Sequence, residues 1–285
     1  MSEVIKGRVL AKNIQEKVAS RVAKLHSPLG LAVILIGDNA ASSLYVSLKE
    51  TAAKEAGIYV EKHILEDSVS QKSVITLIQS LNARKDIHGI LVQLPLPSQL
   101  HETEIITSIH PHKDVDGFHA QNTARLLEGT PSIVPPIALA IMKLIDATRQ
   151  PLRNKNAVII SNSEIFATPM IALLKERGVT GQYLSPKSQT LSNAVQAADI
   201  AIVAVGKTGF IKATMVSPHA ILIDVGTNRT KQGVRGDITK EAKEKVAFST
   251  PVPGGVGPLT VAYLLLNVLK AYELQNQNNQ EVSQK

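Results

Sequence analysis

The stretch LAVILIGDNAASSLYVSLKETAAKEAGIYVEKH, residues 31–63, decides the fold class. Its first six residues are apolar and rich in β-branched side chains, which predicts a buried strand over Leu31–Ile36. A polar turn leads into a longer segment of helical period, Ala41–Ala56, and a second strand is predicted at Ile58–His63. A strand, a helix and a strand in this order form a βαβ unit with parallel strands. The sequence therefore predicts an α/β fold.

The same alternation of short apolar runs and helical stretches continues along the chain in two groups. Between them, Ile133–Ile145 carries two prolines and then reads apolar at helical spacing, which predicts a helix that begins at proline. A second helix of this kind, Pro258–Leu274, is expected to return the chain to the first group. We therefore expect two α/β domains linked by long helices. The other predicted elements are strands at Gly89–Val92, Ala157–Ile160, Gly181–Leu184, Ile200–Val205 and Ala220–Val225, and helices at Ser73–Ala83, Thr168–Glu176 and Thr190–Ala197.

The composition excludes several classes of protein. Of the 285 residues, 44% are hydrophobic and 19% are charged, as in a folded globular protein. Apolar runs fall short of the roughly 20 residues of a membrane span and the first residues show no secretory signal, so we expect a cytoplasmic protein with no membrane partner. Without cysteine, disulfides and thiolate chemistry are excluded. The net charge of +7 favours an anionic partner, but scattered basic residues and 3% aromatic content argue against nucleic acid.

Three polar side chains stand where a substrate could be held. Tyr45 and Lys49 are four residues apart and therefore share one face of the predicted helix. A partly buried lysine beside a cationic ligand suits proton transfer, although a lysine on a helix flank is more often a solvated charge. Gln93 follows the strand Gly89–Val92, and ligands bind at strand ends in open α/β sheets. An ordinary exposed loop amide is the alternative for Gln93.

The segment from His110 to Asn122 is dense in histidine and aspartate, which could indicate a metal site. Its spacings match no structural zinc pattern, so we expect no metal. Asp116 precedes Gly117 and is explained either by a turn or by a carboxylate that accepts paired N–H bonds from a planar heterocycle.

The segment TPVPGGVGPLT, Thr250–Thr260, contains three glycines and three prolines before the last long helix. A loop of this composition lets the backbone approach a ligand closely while it stays fairly rigid. A helix-entry turn without a ligand is the alternative.

Five strings along the chain resemble the bifunctional methylenetetrahydrofolate dehydrogenase/methenyltetrahydrofolate cyclohydrolase family. They are YVSLK, GILVQLPLP, KDVDGFH with Asn122, DVGTNR and TPVPGGVGPLT, and the resemblance extends from about Val9 to Leu274. It implies a catalytic folate-binding domain over residues 1–133 and 259–285 and a Rossmann-like NADP-binding domain over residues 134–258. It also implies a homodimer.

The resemblance implies a role for each matching residue. Lys49 would transfer protons, Tyr45 would lie against the substrate, Gln93 would hydrogen-bond near Lys49, and Asp116 would hold the pterin ring as the fourth residue of the catalytic set. The implied folate-binding residues are Tyr45, Val46, Ser47, Leu48, Lys49, Val92, Gln93, Leu94, Asp116, Pro253, Gly254, Gly255, Val256 and Gly257. The implied activity is oxidation of 5,10-methylenetetrahydrofolate with NADP, followed by hydrolysis of the methenyl product to 10-formyltetrahydrofolate.

The cofactor segment departs from the family pattern. The string IISNSEIFATP has Ser161 and Ala167 where the family has glycines, and the Cβ of Ser161 is expected to hinder close approach of the pyrophosphate. The resemblance places the NADP-binding residues at Ser161, Asn162, Ser163, Lys187 and Thr227. Three alternatives therefore stay open: a cyclohydrolase with a degenerate cofactor domain, a non-catalytic folate-binding protein, and an unrelated dehydrogenase.

Overall fold

The computed structural model describes residues 2–231 and 233–283, with the backbone alone at Ala40, Ala41 and 277–283. The strands are β1 (Glu3–Val4), β2 (Gly30–Ile36), β3 (Tyr59–Leu65), β4 (Gly89–Val92), β5 (Asn156–Ser161), β6 (Thr180–Leu184), β7 (Ile200–Ala204), β8 (Ile221–Asp224), β9 (Asn228–Thr230), β10 (Gly233–Arg235) and β11 (Phe248–Ser249). The helices are α1 (Gly7–Val22), α2 (Ala40–Glu55), α3 (Gln71–Ala83), α4 (Glu102–Thr107), α5 (Ala120–Leu127), α6 (Pro136–Ala147), α7 (Glu164–Glu176), α8 (Leu191–Ala197), α9 (Lys240–Lys245) and α10 (Val256–Ser283). A short 3₁₀ turn covers Ala213–Met215.

The predicted α/β class is confirmed. Every strand predicted from the sequence is present with ends displaced by two residues or fewer, and α6 and α10 occupy the two proline-led segments. The strands absent from the prediction are β1, β9, β10 and β11, which are two or three residues long. Such short strands carry too few residues to show an alternating pattern. No helix in the described ranges combines the length and apolar character that crossing a membrane requires.

The chain divides into two compact units. Unit 1 comprises residues 2–11 and 137–260, and unit 2 comprises residues 12–136 and 261–283. The sequence analysis assigned residues 1–133 to one domain, whereas the structure places residues 2–11 with unit 1. The reason is that β1 pairs in parallel with β11, and Ile5 N donates to Ser249 O at 2.9 Å.

Unit 1 is built on a six-stranded parallel sheet in the order β1-β11-β8-β7-β5-β6. One face carries Val158, Ile160 and Val203 into a core with α8, α9 and the 3₁₀ turn. The antiparallel hairpin β9–β10 follows β8 outside this sheet. Because all six strands are parallel, their carboxyl ends lie at one edge, where ligands bind in such sheets.

Unit 2 contains a three-stranded parallel sheet in the order β3-β2-β4. Alternate residues of β2 enter two different cores: Val33 packs with residues of α1, α2 and α10, while Ile34 packs with α3. Burial on both faces explains why β2 reads as a continuous apolar run. Residues after β2 and β4 therefore emerge together at one edge of this sheet.

Candidate active site

Lys49 and Gln93 form the centre of the site in unit 2. Lys49 lies on α2 with 7% of its surface exposed, and its Nζ donates a hydrogen bond to Gln93 Oε1 at 3.0 Å. Gln93 follows β4, and its Nε2 donates to the carbonyl oxygen of Leu94 at 2.7 Å. Since one end of the amide is held by the backbone, its oxygen is directed at the lysine. The structure thus brings together an amine and an amide that are 44 residues apart in sequence.

The packing of α2 sets the direction of the lysine. Val46, about one helical turn before Lys49, is buried in the core of unit 2. Tyr45 is half-buried. Ser47 and Leu48 are exposed, with half of the Leu48 surface open to solvent. Tyr45 and Lys49 therefore lie on the side of α2 that packs against the core through Val46, and Ser47 and Leu48 lie on the side that faces solvent.

Two other predicted substrate-binding residues border Gln93. Val92 is buried at the end of β4, where it packs into the core shared with α3, and Leu94 is half-buried. The side chain of Val92 is occupied by that core, so it shapes the site by fixing the strand end.

Asp116 lies close enough to Lys49 for their charges to interact. Burial raises the pKa of the Asp116 carboxyl above its ordinary value, and the positive charge of Lys49 opposes that rise. The carboxyl is half-buried by accessible surface and can still accept N–H bonds from a ligand. This residue, Lys49 and Gln93 are the part of the predicted catalytic set that the structure ties together.

The turn that carries Asp116 is closed by Asp114. The Asp114 carboxylate accepts hydrogen bonds from Gly117 N at 3.0 Å, His119 N at 2.8 Å and Asn122 Nδ2 at 3.1 Å. Burial raises the pKa of Asp114 to about 6, and the charge of Asp116 adds to the rise, whereas the N–H bonds oppose it. Asp114, the first aspartate of this segment, therefore has a structural role: it closes the turn.

Asn267 holds the same turn from the last helix. Its Nδ2 donates to Val115 O at 2.9 Å and to Val134 O at 2.8 Å, and the residue is buried on α10. Gly117 has a φ of +72°, and a Cβ there would lie 2.7 Å from Pro135 N. Asp116 is consequently fixed by its neighbours on both sides. The sequence analysis missed Asn267, although a single amide within the apolar stripe of a helix signals a buried partner.

The histidines and Lys113 of this segment have structural partners. Lys113 Nζ donates to the carbonyl oxygens of Asn82 at 2.8 Å and Arg84 at 2.6 Å, at the end of α3. His119 Nδ1 accepts from Gln121 N at 3.0 Å at the start of α5. Within residues 2–231 and 233–283, no group of three His, Cys, Asp or Glu side chains is arranged to hold a metal.

The predicted cofactor residues of unit 1 follow the ends of its strands. Ser161 ends β5 with 2% of its surface exposed, and its Oγ donates to Ser163 O at 2.6 Å. Asn162 Nδ2 donates to Val205 O at 2.8 Å and so links the turns after β5 and β7. The serine that replaces a glycine thus has its hydroxyl turned into the protein.

Lys187 and Thr227 are exposed in the turns after β6 and β8. Ser163 takes the N-cap position of α7, and its own side chain makes no capping bond to the described residues. A parallel-sheet edge with the first turn of a 13-residue helix facing it offers backbone N–H groups to a phosphate. These features of unit 1 fit a dinucleotide.

Two buried aspartates organise the rest of that edge. Asp237 accepts from Val205 N at 2.6 Å, Gly206 N at 2.9 Å and Lys207 N at 2.9 Å, so it fixes the turn after β7. Asp224 accepts from Asp237 N at 2.8 Å and pairs with Lys243 Nζ at 2.6 Å. Burial raises the pKa of Asp224 despite this ion pair. No local pattern in the sequence marks these contacts, since the partners of Asp237 are 30 to 32 residues away and Asp237 N is 13 residues from Asp224.

The glycine- and proline-rich loop also belongs to unit 1. Gly254 has a φ of +102°, and its carbonyl accepts from Arg8 N at 3.1 Å. The carbonyl oxygen of Gly255 lies 1.9 Å from where a Cβ on Gly7 would be, so backbone meets backbone here. Residues Pro253–Gly257 are thereby held by the N-terminal segment and lead directly into α10, whose first residue is Val256.

Comparisons with known proteins agree with this arrangement. Residues 5–116 match the model of the tetrahydrofolate dehydrogenase/cyclohydrolase catalytic domain, and residues 135–276 match the model of the NAD(P)-binding domain of the same family. The chain belongs to the tetrahydrofolate dehydrogenase/cyclohydrolase family. The matched catalytic domain contains Lys49, Gln93 and Asp116.

Relatives within this family are similar to the chain over almost their whole length. The bifunctional protein FolD of Streptococcus mutans is 41% identical over 277 residues, which are 95% of this chain and 98% of the relative. FolD of Streptococcus agalactiae is 43% identical over the same share. The recognition made from the five strings is therefore confirmed, and an unrelated dehydrogenase is excluded.

Solved structures give the same result for the fold. The bifunctional FolD of Campylobacter jejuni is 38% identical with a TM-score of 0.92, covering 96% of this chain and 100% of that one. FolD of Trypanosoma brucei, solved with NADP cofactor and an inhibitor, is 32% identical with a TM-score of 0.91, covering 96% and 98%.

Proposed function

We propose that this family member is a bifunctional one-carbon folate enzyme. It oxidises 5,10-methylenetetrahydrofolate to the 5,10-methenyl compound with NADP and hydrolyses that product to 10-formyltetrahydrofolate. The observation that carries the proposal is the part-buried hydrogen bond from Lys49 to Gln93, near the carboxyl of Asp116. The relatives named FolD are bifunctional, and one of them was solved with NADP, which supports both activities.

Lys49 moves the protons of the hydrolytic step. Water adds to the methenyl carbon, its oxygen gives up both protons as the formyl group forms, and the bond from this carbon to one ring nitrogen breaks. That nitrogen takes up one of the two protons and the other is released. An ammonium carries three donors, and the bond to Gln93 uses one of them. The amide of Gln93 therefore orients the amine without occupying it fully. A positioned general acid–base typically contributes about 10²- to 10⁴-fold to the rate.

Asp116 and Tyr45 hold the substrate. The carboxylate of Asp116 can accept two N–H bonds from the planar edge of the pterin, which fixes the ring relative to Lys49. Tyr45 lies one turn before Lys49 on the same helix and offers an aromatic face to the substrate. Ser47, Leu48 and Leu94 of unit 2 are proposed to border the same site, and the buried Val46 and Val92 to support it from below.

NADP is held by unit 1, at the edge formed by the ends of β5, β6 and β8. Backbone N–H groups at the start of α7 would bind phosphate, Asn162 fixes the turn before them, and Lys187 would supply the charge for the 2′-phosphate. Bound NADP supplies the acceptor for the hydride that leaves the methylene carbon. The fit of this edge to a dinucleotide argues against a cofactor domain that serves only as a scaffold.

A spectrophotometric assay tests the proposal directly. With methylenetetrahydrofolate and NADP, we expect NADPH formation, and with the methenyl compound alone we expect decay of its absorbance. Methenyl decay without NADPH formation would instead identify a cyclohydrolase only. Folate binding without either signal would identify a non-catalytic folate-binding protein.

We further propose that the enzyme is a cytoplasmic homodimer with folate as its small-molecule partner. The resemblance to the family supports the dimer, and the lack of cysteine fits a reducing compartment. Light scattering should give a mass near twice the chain mass of 30.6 kDa. A mass equal to one chain would reject the dimer.

A further inference from the structure

Asp237 holds the turn that follows β7 in unit 1. The residue is fully buried, with 0% of its surface exposed. Its Oδ2 accepts hydrogen bonds from Val205 N at 2.6 Å and Gly206 N at 2.9 Å, and its Oδ1 accepts from Lys207 N at 2.9 Å. Because both oxygens of one carboxylate are bonded to consecutive amides, the backbone of this turn is held in one conformation.

The same carboxylate reaches the turn that follows β8. Asn228 Nδ2 donates a hydrogen bond to Asp237 Oδ1 at 2.8 Å. Gly226 passes so close that a Cβ there would lie 2.2 Å from the carboxyl carbon of Asp237, so the backbone packs directly against the carboxylate. Thr227, one of the residues predicted to bind NADP, lies between these two partners in the sequence. The position of Thr227 therefore depends on Asp237.

The turn that follows β5 is joined to this arrangement through Asn162. Asn162 Nδ2 donates to Val205 O at 2.8 Å, and Val205 N donates to Asp237 at 2.6 Å. β7 pairs with β5 on one side, and β6, the next strand along the chain, pairs with β5 on the other side. Open α/β sheets bind ligands at such a switch point in the strand order. The turns that Asp237 fixes thus border the place where a nucleotide is expected.

Asp237 is itself fixed by the sheet. Asp224, the last residue of β8, accepts hydrogen bonds from Asp237 N at 2.8 Å and Ile238 N at 3.2 Å, and it pairs with Lys243 Nζ at 2.6 Å. Gly236 lies so close to Asp224 that a Cβ would be 1.9 Å from its Oδ2. The Asp237 carboxylate is therefore set from behind and has little freedom to follow a displaced turn.

We propose that Asp237 is a positioning residue for NADP, which sets the turns after β5, β7 and β8 that receive the nucleotide. This rests on the proposed function, in which unit 1 holds NADP. Asp237 acts through these turns because its own side chain is buried beneath them. A carboxylate is needed, since both of its oxygens accept N–H bonds, whereas one end of an asparagine amide carries N–H donors of its own. Asp237→Asn keeps the shape of the side chain and sets donor against donor.

The direct test is calorimetric titration of the enzyme with NADP. Asp237→Asn should raise the NADP Kd at least tenfold, while hydrolysis of the methenyl compound, which is assigned to unit 2 and needs no nucleotide, changes by less than twofold. Asp199→Asn is the matched control, because Asp199 precedes β7 at the opposite edge of the same sheet and bonds there to Lys155 Nζ at 2.8 Å and Asn156 N at 2.9 Å. Its NADP Kd should stay within twofold. An unchanged NADP Kd in Asp237→Asn would overturn the proposal.

A double-mutant cycle separates positioning from a general loss of stability. Asn162→Ala should raise the NADP Kd about fivefold in the wild type and less than twofold in Asp237→Asn, because the turn to which Asn162 is bonded is then already displaced. An equal effect in the two backgrounds would show that the residues act independently, which contradicts positioning through a shared turn.

Two more measurements complete the test. If Asp237→Asn does not fold, Asn228→Ala takes its place, since it removes one partner of the carboxylate at a half-buried position. Its NADP Kd should rise about threefold, and an unchanged value would again reject the positioning role. The titration does not depend on turnover, so a wild type that binds NADP without forming NADPH would reject the proposed function alone. A wild type that does not bind NADP would overturn both.

Discussion

The proposed site in unit 2 and the proposed nucleotide edge of unit 1 offer different kinds of group to a ligand. In unit 2, side chains make the site: Lys49 bonds to Gln93 beside Asp116, and buried neighbours hold all three in place. At the start of α7 in unit 1, the side chain of Ser161 is turned inward, and the groups left for a ligand are backbone N–H. A site made of side chains loses its function when one of a few groups is replaced. A site made of backbone N–H groups keeps those groups when a residue is replaced, so its affinity for the ligand falls only in part. This difference explains why glycine can be lost from the nucleotide turn while the strings around Lys49 stay complete.

The largest expected effect is at Lys49. Lys49→Gln should lower cyclohydrolase kcat by about 10³-fold or more, because the amine bonded to Gln93 is lost, while folate binding stays within about tenfold. The rate of methenyl hydrolysis and the folate Kd measure the two effects. Lys54→Gln, an exposed residue on the same helix that pairs with Glu50, is the matched control and should stay near the wild-type rate. Unchanged hydrolysis in Lys49→Gln would contradict the proposal that the site in unit 2 depends on the Lys49 side chain.

The second effect is a pH-dependent stability in the turn that carries Asp116. Burial raises the pKa of Asp114 from 3.8 to about 6, so the folded protein binds this proton more tightly than the unfolded chain. Stability from Asp114 therefore increases as the pH falls from 7 to 5. Relative to Asp114→Asn, the wild type should gain about 1.4 kcal/mol over this range, measured by denaturant unfolding. The exposed Asp38→Asn is the control; a difference from Asp114→Asn that does not vary with pH would contradict the account.

An intermediate effect is expected at Lys187, the one predicted nucleotide contact in unit 1 that acts through a side-chain charge. Lys187→Ala should raise the KM for NADP about tenfold and leave the KM for NAD within about twofold, since only NADP carries the 2′-phosphate. Steady-state kinetics with both nucleotides measure this ratio. Lys175→Ala, exposed on α7, serves as the control. Equal losses with the two nucleotides would reject the contact.

The smallest effect is expected at Ser161, where the backbone matters most. Ser161→Gly should tighten NADP binding about threefold, because removal of the Cβ lets the backbone come closer to the pyrophosphate. The gain is small because this side chain is already buried and bonded to Ser163 O. Ser161→Ala keeps the Cβ and should leave NADP affinity unchanged in a fluorescence titration. If both variants tightened binding equally, the hydroxyl and not the Cβ would be the obstacle.

The central strands of the fold were predictable because they are buried on both faces. A strand such as β2, which packs against two cores, must be apolar along its whole length. The first and last residues of the strand can therefore be recognised in the sequence as the ends of the apolar run. The hairpin β9–β10 was missed because its strands have three residues each and lie outside the main sheet. The place of β1 was missed for a related reason, since two residues carry no information about which sheet they join.

The α/β class and the family follow from the sequence alone, because periodicity and long strings are properties of neighbouring residues. The same strings predict Lys49, Gln93 and Asp116 as site residues. Tertiary structure decided what holds those residues in place. Asn267 reaches the carbonyl of Val115 across 152 positions, and Asp237 closes the turn at Gly206 from a distant segment. Such contacts depend on how helices and strands pack, and packing places residues together whatever their separation along the chain.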